Sequence, residues 1–253
     1  MALTEKDIVQ ACCRAIYLWE FGDDGVDKRD RVSDKTLMTN FGVAWLRYKK
    51  NNRRLIKYTP QQVKDLILNC QVRKSQINNP KNPQISATLM LPTLISTNAQ
   101  NSYYSILDRC NKAYSTATLH RTRWQYGREF TKELAKVLNA RSAGLRGGVQ
   151  RAFASRVLFF ALPEIHVYNY SLPLIKRLKD DFGLQGDTVD EVFEKMNKLY
   201  ELYEKQLKQL PRPKFPANLR SEIKKGDWWE RRVLDLAVLQ NWECFCKSKK
   251  LIK

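Results

Sequence analysis

Leu145-Arg-Gly-Gly-Val-Gln-Arg-Ala-Phe-Ala-Ser-Arg-Val-Leu-Phe-Phe-Ala-Leu-Pro-Glu-Ile-His-Val-Tyr-Asn-Tyr-Ser-Leu-Pro173 sets the frame for everything around it. Its adjacent glycines, Gly147 and Gly148, read as a tight hairpin. A helix follows over Phe153–Phe160, and Pro163-Glu164 ends it. A short extended piece then delivers Asn169-Tyr170-Ser171 to the start of another helix. Glycine lets a backbone come close to a phosphate, and bare N–H groups at the next helix start can bind one. The expectation is two helices flanking an extended piece, with a phosphate grip at Arg146, Gly147, Gly148 and Val149.

Working outward, both flanks also read as helix. Downstream, Thr188-x-x-Glu191 is a capping box, and Val189, Val192, Phe193, Met196, Leu199, Leu202, Tyr203 and Leu207 keep helical spacing over 188–209. Pro211-Arg-Pro-Lys-Phe-Pro216 breaks the chain, and a last helix runs from about Asp227 through Trp228, Val233, Leu236, Ala237 and Leu239. Upstream, short helices are predicted at 87–97, 101–114 and 117–139. The last contains Arg121-Thr-Arg-Trp-Gln-Tyr-Gly-Arg128, where Arg121, Arg123 and Arg128 alternate with aromatics. Such a face suits phosphate clamping and base stacking. The plainer alternative is a helix burying Trp124 and Tyr126 while its arginines face water.

The N-terminal third is helical as well. Thr4-x-x-Asp7 opens one helix, carrying Ile8, Cys12, Ala15, Ile16 and Trp19. Gly22–Asp34 reads as a polar loop. A second helical pattern carries Leu37, Phe41, Ala44, Trp45 and Tyr48 and ends in the basic run Lys49–Arg54; a third starts at Thr59-Pro60. Residues 75–86 form the clearest loop, which sets an expected division into an N-terminal helical part, 1–85, and a second helical part, 86–253. No run of β-alternation appears, so the chain is read as all-α.

The 253 residues suffice for one large or two small domains with a genuine core, and 43% hydrophobic with 28% charged residues is an ordinary globular composition. Charge is the anomaly. Lys plus Arg number 45 against 26 acids, a formal +19, which concentrates polyanions at the surface. No stretch approaches a membrane span, and the N-terminus lacks a signal-peptide pattern. Basic residues are spread along the chain rather than gathered on one amphipathic helix, which argues against a membrane-surface role. The six cysteines, at 12, 13, 70, 110, 244 and 246, have neither zinc-knuckle nor iron–sulfur spacing. They read as reduced thiols in the core of a cytoplasmic, monomeric protein without metal or cofactor. Nucleic acid is the expected partner.

The central run resembles the helix-hairpin-helix DNA glycosylases, whose motif is Leu-Pro-Gly-Val-Gly, a helix, then Val-Asp opening the next helix. Leu145 falls on the motif's leucine, Gly147 on its first glycine, Arg151 where bifunctional members carry a lysine nucleophile, and Asn169 where the family carries its aspartate. A closer likeness is to bacterial proteins of the 8-oxoguanine DNA glycosylase fold. They carry Ala-Ser-Lys and a helix ending in His-Phe, then Pro-Glu, then Tyr-Asp-Ser. Here the corresponding residues are Phe153–Phe160, Pro163-Glu164 and Tyr168-Asn169-Tyr170-Ser171, while Trp229–Leu236 is similar to that family's closing helix. The likeness spans roughly 140–240.

What the resemblance implies is a two-part helical bundle of helix-hairpin-helix DNA glycosylase type. It would bind double-stranded DNA, flip out a damaged or modified base and excise it, in repair or in defence against modified phage DNA. Ser96-Thr97-Asn98 is similar to the loop that fills the gap left by a flipped base, Tyr103 and Tyr104 are wedges or ordinary core, and His166, Tyr168 and Trp124 are base-pocket candidates. The departures carry chemical consequences. Gly148 and Val149 stand in the reverse of the usual valine–glycine order. The amide of Asn169 carries no charge and cannot stabilise an oxocarbenium-like sugar as a carboxylate does. The chain is therefore an inactive relative, an Asp→Asn trap of an active one, or an enzyme whose acid lies elsewhere. Glu164, Asp180 and Asp235 are the other candidates, each with a plainer structural or surface reading. Arg151 cannot form a Schiff base, because guanidinium stays protonated, so water is the nucleophile expected in a monofunctional enzyme. Two rival readings remain: a non-catalytic DNA-binding module on the same scaffold, which Asn169 favours, and an RNA-binding protein.

Overall fold

A computed structural model of the chain describes residues 2–22, 32–42, 105, 120–139 and 147–239; for 120–122, 137–139 and 147–150 it gives the backbone path alone. The regular elements among the described residues are helices, with no strand among them. Helix α1 spans Glu5–Phe21. Thr4 and Asp7 form the expected capping box, the Thr4 hydroxyl accepting from the Asp7 amide and the Asp7 carboxylate accepting from that of Thr4. Helix α2, Asp34–Leu37, is capped by Ser33 and widens directly into a π-helical turn, Met38–Gly42. The sequence reads this stretch as the start of a longer regular helix. Instead the Thr39 hydroxyl donates to the Lys35 carbonyl at 2.8 Å inside the widened turn, while Ala44, Trp45 and Tyr48 lie outside the described residues.

Helices α3 (His120–Asn139) and α4 (Gly147–Ala161) pack together. In α4 the structure departs from the sequence reading, because Gly147, Gly148 and Val149 are helical rather than part of a hairpin. Glycine's poor helix propensity is least costly in the first turn, where no intrahelical donor bond is made. Helix α5, Leu172–Phe182, is capped by Ser171 and has Pro173 in its first turn. Helix α6, Val189–Lys208, carries the Thr188–Glu191 capping box anticipated above. A short α7 (Arg220–Lys225) leads into α8 (Trp228–Leu239).

Helix α8 is the axis of the molecule. Every residue from Trp228 to Val238 is buried, and α1, α5, α6 and α7 all pack on it. One aromatic cluster joins Trp19, Phe159, Phe160, Phe215, Trp228 and Trp229 at centroid separations of 5.1–6.5 Å. The indoles are satisfied as well as buried: Trp228 donates to the Phe159 carbonyl at 2.9 Å and Trp229 to the Pro211 carbonyl at 3.1 Å. Cys12 lies in the same core, where burial pushes its thiol up to about 12. Among the described residues one hydrophobic cluster takes in side chains from Leu3 to Val238, while the boundary expected at 85/86 lies outside the described residues. No helix among the described residues is long and apolar enough to cross a membrane.

Candidate functional site

The site forms where an extended strap, residues 162–171 between α4 and α5, is pressed between α4 and α8. Two devices hold it. The Ser155 hydroxyl on α4 donates to the Ala152 carbonyl at 2.9 Å and accepts from the Tyr170 amide, also at 2.9 Å. From the other side, fully buried Arg231 on α8 donates to three backbone carbonyls: Val167 at 2.6 Å, Gly226 at 3.0 Å and Pro163 at 3.2 Å. Burial lowers its guanidinium to about 10, which leaves it charged at neutral pH. An extended segment has no ladder partner of its own, so these bonds satisfy carbonyls that burial would otherwise orphan.

Held this way, the strap places Asn169 against α8. Its side-chain amide donates to Asp235 Oδ2 at 2.5 Å, and both residues are buried, Asn169 at 7% and Asp235 at 3% exposure. Three further charged groups close around the pair. Arg232 Nε reaches Asp34 Oδ2 at 2.7 Å and its Nη1 reaches Asp235 Oδ2 at 3.4 Å, while Arg156 Nη2 lies 3.7 Å from Asp34 Oδ1. Burial raises the Asp235 carboxyl above its ordinary value; Arg232, Arg156 and the Asn169 bond pull it back down, and Asp34 pushes it up. The second oxygens of the pair, Asn169 Oδ1 and Asp235 Oδ1, are buried without a hydrogen-bond partner among the described residues.

Of the three alternative acids, only Asp235 meets Asn169. Asp180 is an exposed partner of Lys176 at 2.5 Å, and Glu164 is buried in the turn after α4. Arg151 is half-buried on α4. His166 and Tyr168, read as base-pocket candidates, are in the core: the Tyr168 hydroxyl donates to Asn197 Oδ1 at 3.2 Å, and His166 packs edge-on to Tyr200 at 5.6 Å with Nε2 3.9 Å from Asp227.

On α3, Trp124 and Tyr126 are half-buried against the core, with Arg128 over the Trp124 ring at 5.5 Å and its Nε 3.1 Å from Asp190. The Arg123 guanidinium donates to the Lys225 carbonyl. These described side chains contact protein. Arg121 is given by backbone alone. Gly147, Gly148 and Val149 occupy the first turn of α4, and Arg146, Asn98, Tyr103 and Tyr104 lie outside the described residues.

Asp34, Arg231 and Arg232 are what the sequence reading missed. Asp34 and Arg232 are separated by 198 positions, and no local pattern signals such a pair. Among the described residues no group of three or more His, Cys, Asp or Glu side chains could hold a metal ion. Compared with known proteins, the chain matches no protein-family model, no curated protein and no solved structure.

Proposed function

We propose that the chain is a monofunctional DNA glycosylase that flips a damaged or modified base from double-stranded DNA and releases it, leaving an abasic site. The observation that carries this reading is the placement of Asn169. It lies just before α5, where the sequence resemblance would put the family aspartate, and its side chain touches a buried carboxylate. The first-turn amides of α4 at Gly147, Gly148 and Val149 are the natural phosphate contact, since no intrahelical carbonyl takes them. A net charge of +19 supplies the non-specific attraction to the duplex.

The experiment is base release from duplexes carrying oxidised, alkylated, deaminated or glucosylated pyrimidine and purine bases, analysed with and without alkali. Free base should appear on one class of substrate, and the strand should stay intact until alkali or heat is applied, because position 151 is Arg. Strand cleavage without alkali would contradict the assignment of water as nucleophile. The second reading, a DNA-binding module without catalysis, rests on the uncharged amide at 169; duplex binding with no base released on any substrate would establish it.

A further inference from the structure

We propose that Asp235 supplies the negative charge that position 169 lacks, and that the Asn169–Asp235 pair is a binding site for a cationic group, the sugar ring as its base departs. The inference rests on the glycosylase reading and adds a residue from a different element to it. Three observations converge. Asn169 is hydrogen-bonded to Asp235, so the motif position and the carboxylate form one unit. Each member keeps a buried oxygen with no hydrogen-bond partner among the described residues. Leaving such acceptors unmatched in the folded state is costly, and an arriving donor or cation would remove that cost.

The charge balance points the same way. Two arginines and two aspartates form the cluster, but they are not evenly paired. Asp34 takes the short Arg232 bond at 2.7 Å and has Arg156 at 3.7 Å, whereas the guanidinium contact that Asp235 makes, with Arg232, is longer at 3.4 Å. Asp235 is therefore the less neutralised carboxylate, in a setting dry enough for its field to be felt. Asn169 then acts as a positioning residue: its amide N–H fixes one carboxylate oxygen and leaves Oδ1 to face the sugar. In the reaction, the C1′–N bond breaks with its electron pair leaving on the base, which takes a proton from solvent. Water adds its oxygen to C1′ and gives one proton back to solvent. Asp235 is unchanged throughout, and its contribution is to lower the energy of the transient cation.

Two abasic-site analogues in otherwise identical duplexes test this without knowledge of the target base. One carries a pyrrolidine ring, cationic at neutral pH, and the other a neutral tetrahydrofuran ring of the same shape. The protein should bind the pyrrolidine duplex on the order of tenfold or more tightly, the scale of a charge-assisted contact. Asp235→Asn should erase that preference while keeping its affinity for the tetrahydrofuran duplex, which also reports an intact fold. The double variant Asn169→Asp/Asp235→Asn, which keeps one carboxylate and one amide in the pair, should restore it. The unaltered protein gives an independent reading. Because Asp34, Arg156, Arg232 and Asn169 are the groups facing Asp235, its raised pKa should make the preference fall on acidification from about pH 8 to pH 4. A preference that is absent, flat with pH or retained by Asp235→Asn overturns the assignment of Asp235. A protein that binds neither duplex overturns the glycosylase reading itself.

Discussion

Asp235 is expensive to bury as an anion, and that cost is measurable apart from any activity. Its carboxyl is raised by burial against the pull of Arg232, Arg156 and Asn169. A carboxyl raised in the folded state contributes stability that is complete below the unfolded value, near pH 3.9, and is lost as pH rises through the folded value. Asp235→Asn removes this loss. Its stability relative to the parent should increase from pH 4 to pH 8, by about 1.4 kcal/mol for each tenfold weakening of the acid on folding, as read from paired urea or thermal unfolding curves. A difference that shrinks with rising pH would mean that the arginines outweigh burial. None of this could be read locally: Asn169 and Asp235 are 66 positions apart, and the sequence offered Asp235 only as one of three acids. The residue type at 169 was legible, but its partner was a product of the tertiary fold.

Elements were legible in proportion to how local their signals are. Helices α1 and α6 follow from capping boxes and apolar spacing, both contained within a few residues, and the structure reproduces them closely. The start of α4 was not legible, because paired glycines signal a turn as readily as a permissive first helical turn. On α3, arginines interleaved with Trp124 and Tyr126 suit either a nucleic-acid face or a helix burying its aromatics, and the glycine among them has a packing task. A Cβ at Gly127 would collide with the carbonyl of His166, so the helix can cross the strap closely only with hydrogen there. Gly127→Ala should therefore displace the strap that carries Asn169, with a stability cost on the order of 1–3 kcal/mol, the usual range for overpacking. Urea unfolding measures the cost. An unchanged midpoint would mean that α3 shifts aside freely.

For the molecule as a whole, the +19 charge governs encounter rather than architecture. Affinity for undamaged duplex should fall linearly with salt in log–log form, with a slope of about 0.9 per phosphate neutralised and several phosphates engaged. A fluorescence-anisotropy titration that is flat between low and moderate salt would remove the nucleic-acid reading. The architecture depends instead on α8, and its burial has a consequence for how such a sequence can drift over generations. Of its inward polar residues, Arg232 answers to Asp34 and Asp235 to Asn169, so an apolar replacement at either strands a buried polar partner. Apolar replacements there need a matching change on another element, whereas a polar near-isostere such as Asn at 235 does not. Arg231 has no such freedom: its three partners are backbone carbonyls, for which no compensating exchange exists, and a descendant that loses this arginine must also reshape the strap.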